Sequence, residues 1–325
     1  MRKTVSLVLG VVCVVLLSFT LISADKVFRT SWELPRPPVG EPPRYRLVLI
    51  TQEQDTPFWD KVAAGARKAA AQNGVAIEVW GSYGKDQEDF LKKIEIAIAA
   101  KVDGIIAQGL DTEGFKYMSK IQAASYGIPI ITVGSDVPMV DSLRRTYVGS
   151  DQFLAGQMIA QELVTDMGKS GTVILLGDDS EEYYQQQRLG GIRNMLAAYP
   201  RIKTEYVKTP VARERIIAAT QDAMNRLPDV NAFVAVNANI ADAMVQEIGR
   251  RSRVEPFHIY SFDDSPDTLS LLKQGKLDGM IEQSPEEMGR MSVDLMVRWL
   301  NGETVPLNKD GYLTDIRMLK AEDVR

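Results

Sequence analysis

Asp55-Thr56-Pro57-Phe58-Trp59 gathers a carboxylate, a hydroxyl and two aromatic rings within five residues. Ring faces of this kind pack against the C–H face of a cyclic polyol, while Asp55 or Thr56 supplies a polar group for its hydroxyls. Three more polar clusters follow short apolar runs: Gly134-Ser135-Asp136 after Ile130–Val133, Asn237 after Ala235-Val236, and Asp263-Asp264 after Ile259–Phe262. A carboxylate accepts from two adjacent hydroxyls and an amide both donates and accepts, so this equipment suits a monosaccharide. The same residue types cap helices and fix turns, and Pro57 is placed for a first helical turn. Their recurrence at strand ends is what gives them weight.

Other chemistries find little material. One Cys and one His leave no intrachain disulfide, no Cys/His metal cage and no histidine triad, and no cofactor is implied. His258 lies inside an apolar run and reads as a packed residue. Gly168-Lys169-Ser170 lacks the upstream glycine of a phosphate loop and reads as a helix-ending turn. Lys plus Arg total 38 against 43 Asp plus Glu, a net charge of -5, with no long basic run; nucleic acid is not an expected partner. Asp136 and Asp263 offer an alternative reading as the acid–base pair of a glycoside hydrolase, although the sequence does not set their separation.

The elements that must carry these residues alternate regularly. Strands are expected at Leu47–Ile50, Val75–Trp80, Gly104–Ala107 and Ile128–Val133, with helices over Phe58–Gln72, Phe90–Ala100 and Phe115–Ala124 between them. A second series runs from a helix over Gln152–Asp166 to a strand over Phe257–Ser261. Short, wholly apolar strands separated by amphipathic helices signify parallel sheets covered on both faces, so the class is α/β with two sheets. Gly65-Ala66-Arg67-Lys68 is echoed by Gly191-Ile192-Arg193-Asn194, consistent with a duplicated lobe. Ligands of doubly wound sheets bind at the carboxyl ends of the strands, and two such lobes facing each other across a hinge enclose a cleft.

The Thr56-Pro57-Phe58-Trp59 turn, Gly134-Ser135-Asp136, Tyr147-Val148-Gly149-Ser150-Asp151 before a helix with Gly156, Asn237, Ser261-Phe262-Asp263-Asp264-Ser265-Pro266, and Gln283 with Pro285 and Gly289 come in a distinctive order. Over Tyr45–Trp299 this order resembles the type I periplasmic sugar-binding proteins of the ribose-binding branch. The resemblance implies two Rossmann-like lobes with parallel sheets, joined by a three-segment hinge and closing on a sugar. By position it places Phe58, Trp59, Gln108, Asn237, Asp263 and Gln283 at the ligand, with Thr56 beside them. The family commonly has Asp-Arg where this chain has Gly134-Ser135, which leaves the carboxylate role to Asp136. Gln186 stands where an Arg is common, and Arg213 falls near a position that is often aromatic; ribose itself is therefore not implied. The lactose-repressor type of transcription factor shares the fold, but here an apolar segment replaces the DNA-binding helices.

That segment, Val5–Ile22, is 18 uncharged residues preceded by Arg2 and Lys3. As a helix it would be about 27 Å long against a hydrocarbon core of about 30 Å, and the basic pair keeps its amino end cytoplasmic. Residues 1–24 read as a single-pass anchor, or as a signal peptide whose Ile22-Ser23-Ala24 site is poor. Cys13 has Val11 and Val12 before it and makes a poor lipid-attachment site. Five of the fifteen prolines fall in residues 31–44, so 25–44 reads as an extended stalk, placing the binding domain outside the membrane. The expected lobes are 45–150 with 284–311, and 151–283 with 312–325. The expected partners are a small sugar and either an ABC permease or a sensor histidine kinase.

Overall fold

Leu47-Val48-Leu49-Ile50 forms β1 (Arg46–Thr51) because a strand buried on both faces tolerates no polar alternation. The computed structural model describes residues 43–54, 56–180, 182–251 and 257–324, together with Leu16 and Thr20. The chain divides into units 1–42 and 43–325. In the first, Leu16 and Thr20 are helical, and Thr20 Oγ1 donates to the Leu16 carbonyl at 2.9 Å. The rest of the expected anchor, Cys13 and the stalk up to Pro42 lie outside the described residues. Among the described residues, no helix is long and apolar enough to cross a membrane.

The second unit carries two sheets. In the first, β1 pairs in parallel with β2 (Ala76–Gly81) and β3 (Gly104–Gln108), followed outward by β4 (Ile130–Val133), β5 (Tyr147–Gly149) and β11 (Tyr312–Leu313). In the second, β6 (Gly171–Asp178) lies between β7 (Ile202–Thr209) and β8 (Ala232–Ala235), followed by β9 (His258–Phe262), β10 (Gly279–Glu282) and β12 (Arg317–Leu319). Only the β10–β12 pairing is antiparallel among these. Each sheet is covered on both faces, with Leu49, Ile106 and Met296 on one side of the first and Ile50, Phe90 and Ile105 on the other. The result is two α/β lobes, each built on a parallel sheet.

The chain crosses between lobes three times. It leaves the first sheet after Gly149 for α5 (Gln152–Met167), α1 (Pro57–Asn73) through α4 (Met139–Ser142) having been spent on the first lobe. It returns after Glu282 into α10 (Pro285–Leu300), then crosses again between Leu313 and Arg317. Tyr312 and Leu313 thus belong to the first sheet and not to the second lobe, correcting the expected boundary at 311. Tyr312 pairs with Val148, a register set by hydrogen bonding that has no local signal in two residues. The hinge segments touch: Ser284 Oγ donates to the Asp315 carbonyl at 2.9 Å.

The repeated glycines serve close helix approach. A Cβ on Gly65 would sit 1.9 Å from the Glu286 carbonyl oxygen, and one on Gly289 would sit 1.9 Å from that of Val62, so α1 and α10 meet backbone to backbone. In the second lobe Gly156 and Gly191 do the same for α5 and α6 (Tyr183–Leu196), at 2.1 Å from Arg188 and 2.0 Å from Phe153. The echo in sequence marks the same packing device in both lobes.

Candidate functional site

The carboxyl ends of both sheets face one cavity of about 110 Å³. From the first lobe, Thr56 caps α1 by accepting from the Trp59 N–H at 3.4 Å, with Pro57 at the first helical position. This cap aims Phe58 and Trp59 at the cavity, packed edge to face with centroids 5.4 Å apart. Gly134, just beyond β4 with φ +71°, lets both rings come close: a Cβ there would lie 3.3 Å from each. Gln108, at the end of β3, has its Oε1 engaged by Thr51 Oγ1 at 3.0 Å and the Gln52 N–H at 2.9 Å. Its amide nitrogen is the atom left for a ligand.

The second lobe supplies charge. Asp263, immediately after β9 with φ +69°, accepts from Arg188 Nη2 at 2.9 Å, Arg188 Nη1 at 3.1 Å and Gln283 Nε2. Gln152 Nε2 donates to Gln283 Oε1 at 3.0 Å, and Arg188 Nε donates to Gln152 Oε1 at 2.8 Å, closing a ring of four side chains. Arg188 is 2% exposed, lies between the Tyr184 and Phe262 rings at 4.8 and 4.4 Å, and donates to the Val236 carbonyl at 2.7 Å. Such a network holds the Asp263 carboxylate in one orientation before any ligand arrives. Asn237 Nδ2 donates to Asp178 at 3.0 Å, while its buried Oδ1 and the Ser135 hydroxyl have no hydrogen-bond partner among the described residues.

A further polar cluster spans the cleft. Lys85 Nζ lies 3.6 Å from Glu53 of its own lobe and 3.1 Å from both Asp178 and Glu182 of the other. Burial opposes the Lys85 charge, but Tyr184 and the three carboxylates outweigh it and raise its pKa. Burial raises the Glu53 carboxyl, with Lys85 opposing; at Asp178 burial is outweighed by Lys85 and by hydrogen bonds from Ser180 and Gln185, which lower it. Lys61 of α1 likewise pairs with Asp264 across the cleft.

Seven of the expected residues line the cavity: Thr56, Phe58, Trp59, Gln108, Asn237, Asp263 and Gln283. Asp136 does not. Arg144 clamps it at 2.6 Å through both Nε and Nη2, and Thr132 Oγ1 donates to it at 2.7 Å, so it braces its own loop. This removes Asp136 from any acid–base pair with Asp263 facing one space. Gln186 is exposed on α6 and outside the cavity; Arg188, two residues or about 200° further round the helix, is the residue that turns inward. Arg213 is exposed and paired with Asp242 and Gln246, outside this cavity. His258 opens β9, half-buried beside Asp278. Asp55 lies outside the described residues. Sequence reasoning missed Glu53, Lys61, Gln152, Tyr184, Arg188 and Asn239; Gln152 directly follows the Ser150-Asp151 motif, and Arg188 stands three residues before Gly191.

Residues 47–304 match the periplasmic binding protein domain family. The chain belongs to this family. This periplasmic binding protein is 22% identical to the ribose import binding protein RbsB of Bacillus subtilis (strain 168) over 305 residues, 94% of this chain and 95% of the relative. Among solved structures, GanP, a glucose-galactose binding protein from Geobacillus stearothermophilus, superposes with a TM-score of 0.80 at 29% identity, over 86% of this chain and 98% of GanP. A chain of the XylFII-LytSN complex does so with a TM-score of 0.78 at 28% identity, over 87% and 100%. The two-lobe architecture is common to all of these structures and to this chain.

Proposed function

We propose that this chain binds a neutral monosaccharide outside the cytoplasm by closing its lobes on it, without turning it over. The occupied form is then read by a membrane partner, an ABC permease or a sensor histidine kinase. The observation that carries the reading is the shared cavity, where one lobe offers ring faces and the Gln108 amide and the other offers the braced Asp263 carboxylate and Asn237 Oδ1. Its charges are met within the protein, Asp263 by Arg188 and Asp264 by Lys61, which favours an uncharged, hydroxyl-bearing ligand. At roughly 10–15 Å³ per water, the space takes about the bulk of one pentose or hexose. Binding proteins for ribose and for glucose and galactose among the relatives support the ligand class.

The moving bodies in this proposal are 45–150 with 284–313, and 151–283 with 314–325, turning about the three crossings. Closure follows from contacts the second lobe adds to a ligand held by the first. Val5–Ile22 serves as the membrane anchor in this proposal, and the similarity to a chain solved in complex with a second protein, the XylFII-LytSN complex, leans toward sensing.

A thermal-shift screen of the purified full chain against pentoses, hexoses and polyols tests the reading. Ligand at 100 times its dissociation constant adds about 2.7 kcal/mol of stability, and the recovered sugar is chemically unchanged. A screen in which no sugar raises the transition, or one that returns altered sugar, overturns it.

A further inference from the structure

Beside the cavity lies a second space of about 520 Å³. Pro57, Ala238, Asn239 and Ser265 border both, so the two spaces adjoin. Resting on the sugar-binding reading above, we propose that this groove is a second subsite, which takes the next ring of a glycoside whose first ring occupies the cavity.

Three features define that occupant. The groove offers enough space for a ring and not merely a substituent atom. Its polar wall is a neutralised pair: Arg213 Nη1 donates to Asp242 at 2.5 Å and Nη2 to Gln246 Oε1 at 2.5 Å. Both partners of the pair stay about half exposed, Arg213 at 50% and Asp242 at 44%, with N–H groups and lone pairs to spare. Among the described residues Asp267 is the other charged group on this wall, so the groove carries no excess of positive charge for an anion, which favours hydroxyls. Val211 and Pro266 add apolar surface of the kind a pyranose or aryl ring covers. Arg213, set at the ligand by the sequence reading, thus belongs to the adjoining groove.

Calorimetric titration of the full chain tests this with D-xylose, D-ribose, D-glucose and D-galactose, their methyl and 4-nitrophenyl glycosides in both anomers, and xylobiose, cellobiose and lactose. At least one aryl glycoside or disaccharide binds tenfold or more tightly than the free sugar of its first ring. Arg213→Ala and Asp267→Trp, both at exposed positions, abolish that gain and leave the free sugar within threefold. Free sugars that bind as tightly as all their glycosides, or a gain that survives both variants, overturn the second subsite while the monosaccharide reading stands. Failure of every sugar to bind overturns both.

Discussion

Gly134 and Asp263 hold the same place in the two lobes, the first residue beyond the fourth strand. Their backbones coincide in kind: φ is +71° at one and +69° at the other, and each N–H donates at 2.9 Å to the neighbouring strand, to Val148 and Ile281. Their chemistry is opposite. At Gly134 the missing side chain admits the Phe58 and Trp59 rings; at Asp263 a carboxylate is clamped by Arg188 and Gln283. Lobe 1 also has an aspartate–arginine pair, Asp136–Arg144, but displaced two residues along the loop and turned away from the cavity. One turn geometry makes room for aromatic rings on one side of the cleft and presents a braced carboxylate on the other. A left-handed non-glycine residue costs about 1–2 kcal/mol, and at Asp263 that strain coincides with the proposed contact.

The sharpest way to break this comparison is to remove one charge from each pair. Asp263→Asn is expected to weaken sugar binding about a hundredfold, since hydrogen bonds to a charged group contribute about 1.5–3 kcal/mol each. Asp136→Asn leaves affinity within threefold, while both variants lower the unfolding temperature because each strands a buried arginine. Equal effects on affinity, read by calorimetry, would erase the distinction between the lobes. A smaller effect is expected from Gly134→Ala: a methyl group 3.3 Å from both rings and a positive φ lower stability by about 1–2 kcal/mol. Affinity falls about tenfold as the rings shift, equivalent to about 1.4 kcal/mol.

Smallest is a pH effect at the first strands, where Glu53 follows β1 and Asp178 ends β6, with Lys85 between them. Glu53 is raised above 4.5 by burial, so the folded state holds its proton more tightly than the unfolded chain. Its contribution is full below pH 4.5 and is lost as pH rises through the folded value. Asp178 is lowered below 3.8 and behaves oppositely, its contribution being lost as pH falls through the folded value. In urea unfolding from pH 3 to 7, the advantage of Glu53→Gln over wild type therefore grows above pH 4.5, whereas the penalty of Asp178→Asn shrinks below pH 3.8. A pH-independent difference for both variants would remove the titrating cluster from the cleft.

Much of the fold was legible because parallel strands buried on both faces must be short apolar runs. The strand over Ile130–Val133, for example, forms within the span expected of it. Phe58, Trp59, Asn237 and Asp263 were legible as candidates, and they line the cavity, for a related reason: they are polar or aromatic groups just beyond strand ends, where the topology opens. Gln186 misled because family position is blind to a two-residue offset on a helix, and that offset reverses the face. Asp136 misled because its arginine lies eight residues on, past a turn, and only packing shows that the carboxylate is already occupied.

What the sequence by itself determined is the alternation of elements, the doubling of the lobe and the location of polar groups at strand ends, since all three follow from local periodicity and from residue types at fixed spacing. Only the tertiary structure decided which of those groups share a cavity, that Arg188, Gln152 and Gln283 brace Asp263, and that Tyr312–Leu313 return to the first sheet. These depend on partners far apart in the chain, Gln152 and Gln283 being separated by 131 residues and the Tyr312–Val148 pair by more. Such pairings leave no trace in local patterning because hydrogen-bond geometry is settled only when separate elements pack.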